Sequence, residues 1–241
     1  MLEARFRPFT SNSKTGGLSL DFPRDYTCQK PLCEYCYVDK YERGGYAGEG
    51  YYKNVVNNYK LLIADPEKLA TLANNTIRKL KTSKAEAYVN GFQKMGVIRI
   101  FGGGDYIPAH LEMFKKLEFD FYIISKKLVL LINELDAVTK LQHTRRILLS
   151  FDKNNIDAYH DIVEFVNNLS ESHKVRYAFT GRPHELSDLL KDGFVFNRFF
   201  NIRRTKKEKE ESRKFKDIAC PVDSGLMKIQ NACAKCKKCF K

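Results

Sequence analysis

From Val97 to Phe199 short apolar runs alternate without a break with segments of helical period, and such alternation is the signature of parallel βαβ winding. The runs are Val97-Ile-Arg-Ile-Phe101, Asp120-Phe-Tyr-Ile-Ile124, Arg146 to Asp152, Val175 to Thr180 and Phe194 to Phe199. Between them the spacing predicts helices over about 108 to 117, 127 to 141, 156 to 169 and 184 to 191. Leu111, Phe114 and Leu117 hold one face of the first, and Ile156, Tyr159, Val163 and Val166 one face of the third. An earlier alternating stretch, Leu18-Ser-Leu-Asp-Phe22, is closed by Pro23 and adds a first strand. Six strands fall short of the eight of a closed barrel, and 241 residues lie just under the ~250 typical of one. The expected fold is α/β, a partial (β/α)6 TIM-like barrel, with an open doubly wound sheet as the alternative.

Ahead of that region the pattern predicts helices over about 51 to 63, 66 to 81 and 84 to 94, the second started by Asp65 as N-cap and Pro66 in the first turn. Tyr41 to Gly50 holds four glycines in seven residues, but no strand precedes it, so a mobile cover over the neighbouring loop fits better than a phosphate-binding turn. With 43% hydrophobic and 12% aromatic residues the chain can bury a substantial core, which excludes a disordered protein. The longest aliphatic run, Leu128 to Ile132, is far shorter than a membrane span, and Met1-Leu-Glu-Ala-Arg5 opens no signal peptide. No membrane partner is expected, and the expected compartment is a reducing cytoplasm.

In such a compartment the seven cysteines are not a disulfide framework. They fall into a group of three, Cys28, Cys33 and Cys36, spaced C-x4-C-x2-C, and a group of four, Cys220, Cys233, Cys236 and Cys239, spaced C-x12-C-x2-C-x2-C. Three thiolates leave one iron of a [4Fe-4S] cube open to water or substrate, whereas four fill every position. Two cubane clusters, one open and one fully ligated, account for all seven. Zinc is the alternative for either group, although zinc sites more often present two C-x2-C pairs.

In parallel barrels and sheets chemistry gathers at the carboxyl ends of the strands. Those ends carry the Cys28 loop, Gly103-Gly104-Asp105, Ser125-Lys126, Ser150 with Asp152, and Thr180-Gly181-Arg182. Glycine lets a ligand approach the backbone closely, and a carboxylate such as Asp105 can accept from an ammonium group. The plainer reading makes Gly102 to Asp105 an ordinary strand-to-helix turn. None of the five histidines pairs with another at metal-ligand spacing, and His184 reads as a helix-start residue.

The run Cys33-Glu-Tyr35-Cys36-Tyr, on a loop after a strand, resembles the cluster loop of the radical S-adenosylmethionine (SAM) superfamily, whose usual spacing is C-x3-C-x2-C. The resemblance implies an open cluster that chelates the methionine part of SAM, Tyr35 near the adenine, Gly103, Gly104 and Asp105 at the SAM amino group, and Ser150 and Asp152 at the ribose. Ser125, on the same rim, joins these as a candidate contact. It further implies reductive cleavage of SAM to a 5′-deoxyadenosyl radical, with a flavodoxin or ferredoxin as reductant. Asn12-Ser-Lys-Thr15, the Cys28 loop, the Gly104-Asp105 turn and the Cys220-Pro plus terminal cysteine set together resemble the phage-encoded gene product 88 family. That likeness implies a viral iron-sulfur protein in an infected cell, with a barrel over 1 to 203 and an auxiliary-cluster extension over 204 to 241.

The C-x4-C spacing and an Asp where that superfamily carries Glu leave a second reading open, an iron-sulfur electron carrier or sensor without SAM. A third, a zinc-stapled nucleic-acid-binding module, draws only on the net charge of +13. Much of that charge is dispersed, and the dense run Arg203 to Arg213 mixes both signs as solvated helices do.

Overall fold

The computed structural model describes residues 7–12, 17–28, 45–82, 96–202, 205–228 and 232–239. Its centre is one open seven-stranded sheet whose spatial order follows the chain: β1 (Phe9–Asn12), β2 (Gly17–Leu20), β3 (Ile98–Ile100), β4 (Phe121–Ser125), β5 (Thr144–Phe151), β6 (Val175–Gly181) and β7 (Arg198–Asn201). β1 runs antiparallel to β2 and every later pair is parallel, in a register that sets Leu20 beside Ile100, Ile100 beside Ile123 and Ile123 beside Ile147. A doubly wound sheet reverses its strand order partway. This one never does, so that alternative is set aside.

The helices are α1 (Arg24–Thr27), α2 (Gly45–Ala64), α3 (Pro66–Thr82), α4 (Ala109–Lys115), α5 (Leu128–Ile132), α6 (Leu135–Lys140), α7 (Tyr159–Asn167), α8 (Pro183–Lys191), α9 (Lys206–Ser212) and α10 (Ala232–Cys236). α3 forms where its sequence signals it. The Asp65 carboxylate accepts from the Lys68 N–H at 2.9 Å, Pro66 opens the helix, and Leu69, Ala70, Ala73 and Ile77 bury one stripe. Asn74 on that stripe donates to the Lys116 carbonyl and accepts from the Glu118 N–H, which fixes α3 to the approach of β4.

Side chains alternate across each strand. Ile98, Ile100, Phe121, Ile123, Ile147, Leu149, Phe151, Phe179 and Phe199 share a buried cluster with Leu69, Met113, Phe114, Leu131, Val138, Ile162 and Leu186 of the helices. Burying a side chain of this size contributes about 1.5 to 3 kcal/mol, so this face holds most of the fold's stability. On the other face Tyr122 packs with Val97, Ile124, Cys233 and Cys239. The C-terminal segment therefore covers part of the face that the helices leave bare.

The structure departs from the sequence reading in four places. Phe9–Asn12 is a strand that the sequence reading did not include: Phe9 packs edge-on against Phe119 with ring centroids 5.9 Å apart, and Thr10 donates to Asp21. Gly45 to Gly50 belong to α2, where a mobile segment was expected, and Tyr41 to Gly44 lie outside the described residues. The helix expected over 127 to 141 is broken between α5 and α6. The last strand starts at Arg198 rather than Phe194, because Phe194 and Phe196 stack around Tyr159 while the Val195 backbone is held on the Tyr159 hydroxyl. The helix expected over 84 to 94 lies outside the described residues.

His110, on α4, is fully buried among Phe22, Phe101 and Phe114. Its Nδ1 lies 3.0 Å from the N–H and from the carbonyl of Ile107, and its Nε2 has no hydrogen-bond partner among the described residues. Burial, with the Lys127 charge adding to it, lowers its pKa to about 3. The unfolded chain takes up this proton near the ordinary value of about 6.5, so stability is complete above that pH and is lost as pH falls from there toward 3. Urea unfolding at pH 7.5 and 5 is expected to show a loss of up to about 1.4 kcal/mol per pH unit attributable to this residue. In His110→Phe that component of the pH dependence should vanish.

Candidate functional site

The carboxyl ends of the strands are joined by one polar network. At the end of β2 the Asp21 carboxylate accepts from Thr10 and Ser19 hydroxyls at 2.5 Å each and from the Gly103 N–H at 3.0 Å. The Phe22 N–H donates to the Gly103 carbonyl at 3.1 Å. Thr27 completes the connection: its hydroxyl donates to the Pro23 carbonyl at 2.8 Å and accepts from the Asp105 N–H at 3.0 Å. Cys28 follows directly, closing α1 through its N–H to the Arg24 carbonyl. The chain that enters the cysteine loop is thus fastened to the Gly103-Gly104-Asp105 turn. Cys33, Tyr35 and Cys36 lie outside the described residues.

Gly104 has φ 78°, and a Cβ there would lie 2.5 Å from the Phe22 carbonyl oxygen and 2.7 Å from the Thr27 hydroxyl. Only glycine supplies both the left-handed backbone and the close approach.

Asp105 sits deeper than a ligand-facing carboxylate would. It is 4% exposed, and its oxygens accept from the Ser125 hydroxyl at 2.5 Å, the Tyr106 N–H at 2.7 Å and the Lys126 N–H at 3.0 Å. Burial raises its pKa above the usual carboxylate value, while those hydrogen bonds and the Lys127 charge oppose the rise. Three donors on its two oxygens, together with its depth, leave little of the Asp105 carboxylate for a ligand ammonium.

From Ser125 the network crosses to β5 and β6. Lys126 Nζ lies 2.9 Å from Asp152 in a salt bridge whose side chains are 17% and 11% exposed. Asp152 also accepts from the Asn154 N–H, and Asn155 accepts from the Asp152 N–H at 2.7 Å. The Ser150 and Thr180 hydroxyls are 3.0 Å apart. Ser125, Ser150 and Asp152 thus share one rim with Gly103, Gly104 and Asp105. Sequence reasoning missed Asp21, Thr27 and Asn155, which hold that rim together. Thr27 carries no motif of its own, while Asn155 three residues after Asp152 is a short turn signal. His184 lies in the first turn of α8, as expected.

The second candidate lies on the sheet face away from the helices. Ala219 bridges to Phe199 of β7, and the Cys220 N–H donates to the Phe199 carbonyl at 2.8 Å. Cys233 and Cys236 are on α10. Lys237, at φ 55°, turns the chain back with its N–H on the Cys233 carbonyl, which brings in Cys239. All four cysteines line one cavity together with Arg99, Arg198, Lys237 and Lys238. Among the described residues no three His, Cys, Asp or Glu side chains converge as ligands of a single ion. Nor is any described helix long and apolar enough to cross a membrane.

Gly104→Ala is expected to destabilise the protein by about 1 to 3 kcal/mol, from the left-handed φ and the contact with Phe22. Denaturant unfolding measures it, and an unchanged midpoint would show that the turn relaxes freely. No family model, curated protein or solved structure matches the chain, so the reading of its function rests on these side chains themselves.

Proposed function

We propose that this chain is an iron-sulfur protein of the radical SAM type, an arc of a (β/α)6 barrel with an open cluster at Cys28, Cys33 and Cys36 and a second at Cys220, Cys233, Cys236 and Cys239. The observation that carries the iron-sulfur reading is that the four tail cysteines, drawn from 20 residues of sequence, all line one cavity. Thiolates are the donors such clusters use. The lining of Arg99, Arg198, Lys237 and Lys238 suits the negative charge of a four-thiolate cluster.

The SAM reading draws its support from the rim. Thr27 holds the start of the cysteine loop against Gly104 and Asp105, and Ser150 and Asp152 stand two strands further along the same edge. An open cluster of this kind supplies an electron for reductive cleavage of SAM. The chain's own residues would hold the loop, orient the bound molecule and exclude water. One observation favours the second reading, an electron carrier without SAM. Asp105 is buried and already accepts three hydrogen bonds, so its carboxylate stabilises the turn without any ligand.

Anaerobic reconstitution should give about eight iron per chain, four for each cubane. Cys233→Ala should lose about half of it and keep the open cluster. Stoichiometric zinc in place of iron would sink the proposal and favour the zinc module. The two iron-sulfur readings part on adding SAM to the reduced protein. A changed electron paramagnetic resonance spectrum with release of 5′-deoxyadenosine supports the enzyme, and an unchanged spectrum with no cleavage supports the carrier.

A further inference from the structure

The sheet face away from the helices carries an arginine on each of β5, β6 and β7: Arg146, Arg176 and Arg198. The register sets Leu148 beside Arg176 and Ala178 beside Arg198, so the three lie on successive diagonals of adjacent strands. Strand spacing and rise put each diagonal at about 8 Å between Cα atoms, within reach of long side chains. All three sit near the amino ends of their strands, at the opposite end from the Asp105 rim.

The acceptors of these guanidinium groups are main-chain carbonyls. Arg146 and Arg176 both donate to the His173 carbonyl, at 2.7 and 2.8 Å, and Arg176 also reaches the Val175 carbonyl. Arg198 donates to the Lys238 and Asn197 carbonyls. Lys238 itself donates to the Asp217 carbonyl at 3.1 Å. Among the described residues none of the four makes a salt bridge. Two acids that pair with sequence neighbours of Arg146 and Arg176 are engaged elsewhere: Asp120 holds His143 and Arg145, and Glu171 holds Lys174. The Arg146 Nε is buried with no acceptor among the described residues. Burial, followed by the neighbouring Arg176 and Arg198 charges, pulls the Arg146 guanidinium below its ordinary pKa.

Three guanidinium groups on adjacent strands, with Lys238 beside Arg198 in the cavity lining, repel one another without a salt bridge among the described residues, and a buried guanidinium N–H without an acceptor costs its desolvation. An oxyanion removes both costs. We propose that Arg146, Arg176, Arg198 and Lys238 form a binding site for a small phosphate-bearing ligand, apart from the rim at the carboxyl ends. Guanidinium forks match phosphate oxygens in pairs, and three of them with a lysine suit more than one phosphoryl group. The site is not an accessory of the tail cysteines alone. Arg198 and Lys238 line the cysteine cavity, but Arg146 and Arg176 do not.

Calorimetric titration of the full chain with inorganic triphosphate at low ionic strength tests the proposal. One saturating site is expected, weakened about tenfold or more in Arg146→Gln/Arg176→Gln through the loss of charge-assisted hydrogen bonds. Arg146→Lys/Arg176→Lys should retain much of the affinity, and Lys206→Gln/Lys207→Gln, on exposed α9, all of it. Should the double glutamine variant fail to fold, Arg176→Gln alone is expected to weaken binding in the same direction. Absence of triphosphate binding, or equal binding by the glutamine variants, overturns the site. An oligothymidylate that binds and is not displaced by triphosphate overturns the small-ligand assignment in favour of a nucleic-acid strand.

Discussion

Neighbouring residues of a strand face opposite ways, so Ile98 and Ile100 cannot enter the helical core without turning Arg99 to the other side of the sheet. The same constraint acts on every parallel strand that follows. The helices take Phe121 and Ile123, Ile147 and Leu149, Phe179 and Phe199. What remains for the opposite face is Tyr122 and Ile124, Arg146 and Ser150, Arg176 and Thr180, Arg198 and Phe200. That remainder is mixed: polar at the carboxyl end, cationic at the amino end and apolar between. The cysteine-bearing segment comes to rest on the apolar middle, through Tyr122 and Ile124. Core packing thereby decides where each polar group stands.

The rim is rigid because nearly every group on it is already bonded. Asp105 joins its own turn to β4 through Ser125 and the Lys126 N–H, Lys126 joins β4 to Asp152, and Asn155 ties Asp152 back to the Ser150 and Lys126 carbonyls. A buried network with its members satisfied fixes one arrangement. It also sets a condition on any ligand, which has to offer the rim as much hydrogen bonding as it displaces. Ser150 and Thr180 face that condition least, since their side-chain hydroxyls bond to each other.

Much of the architecture was legible in the sequence because period 2 and period 3.6 leave distinct marks. The cap at Asp65 and the apolar runs of β3 to β6 fall where those marks place them. The failures have a common physical cause. Phe194 to Phe196 is apolar enough for a strand, but Tyr159 captures it in an aromatic cluster, a contact made 36 residues away in sequence. β1 is polar because it is an edge strand with a hydroxyl turned to Asp21. The rim glycines and Asp105 were visible as a motif, whereas the depth of Asp105 depends on Ser125 and Lys126 meeting it from the next strand. The arginines were invisible as a group, since each is a lone basic residue in its own apolar run and only the register brings them together.

One further consequence lies in the single bridge between Phe199 and Ala219. β7 closes one side of the sheet, and a parallel strand left open there offers unpaired N–H and C=O groups to any other extended chain. The Phe199 N–H is taken by the Ile218 carbonyl at 2.9 Å and its carbonyl by the Cys220 N–H at 2.8 Å. The segment leading to the cysteines therefore acts as a guard against edge-to-edge aggregation. The opposite border is shielded by other means, for β1 is only four residues long and rich in hydroxyl and amide side chains. Edge protection and the placement of the tail cysteines consequently share one stretch of chain, and a change that loosens Ile218 to Cys220 would disturb both together.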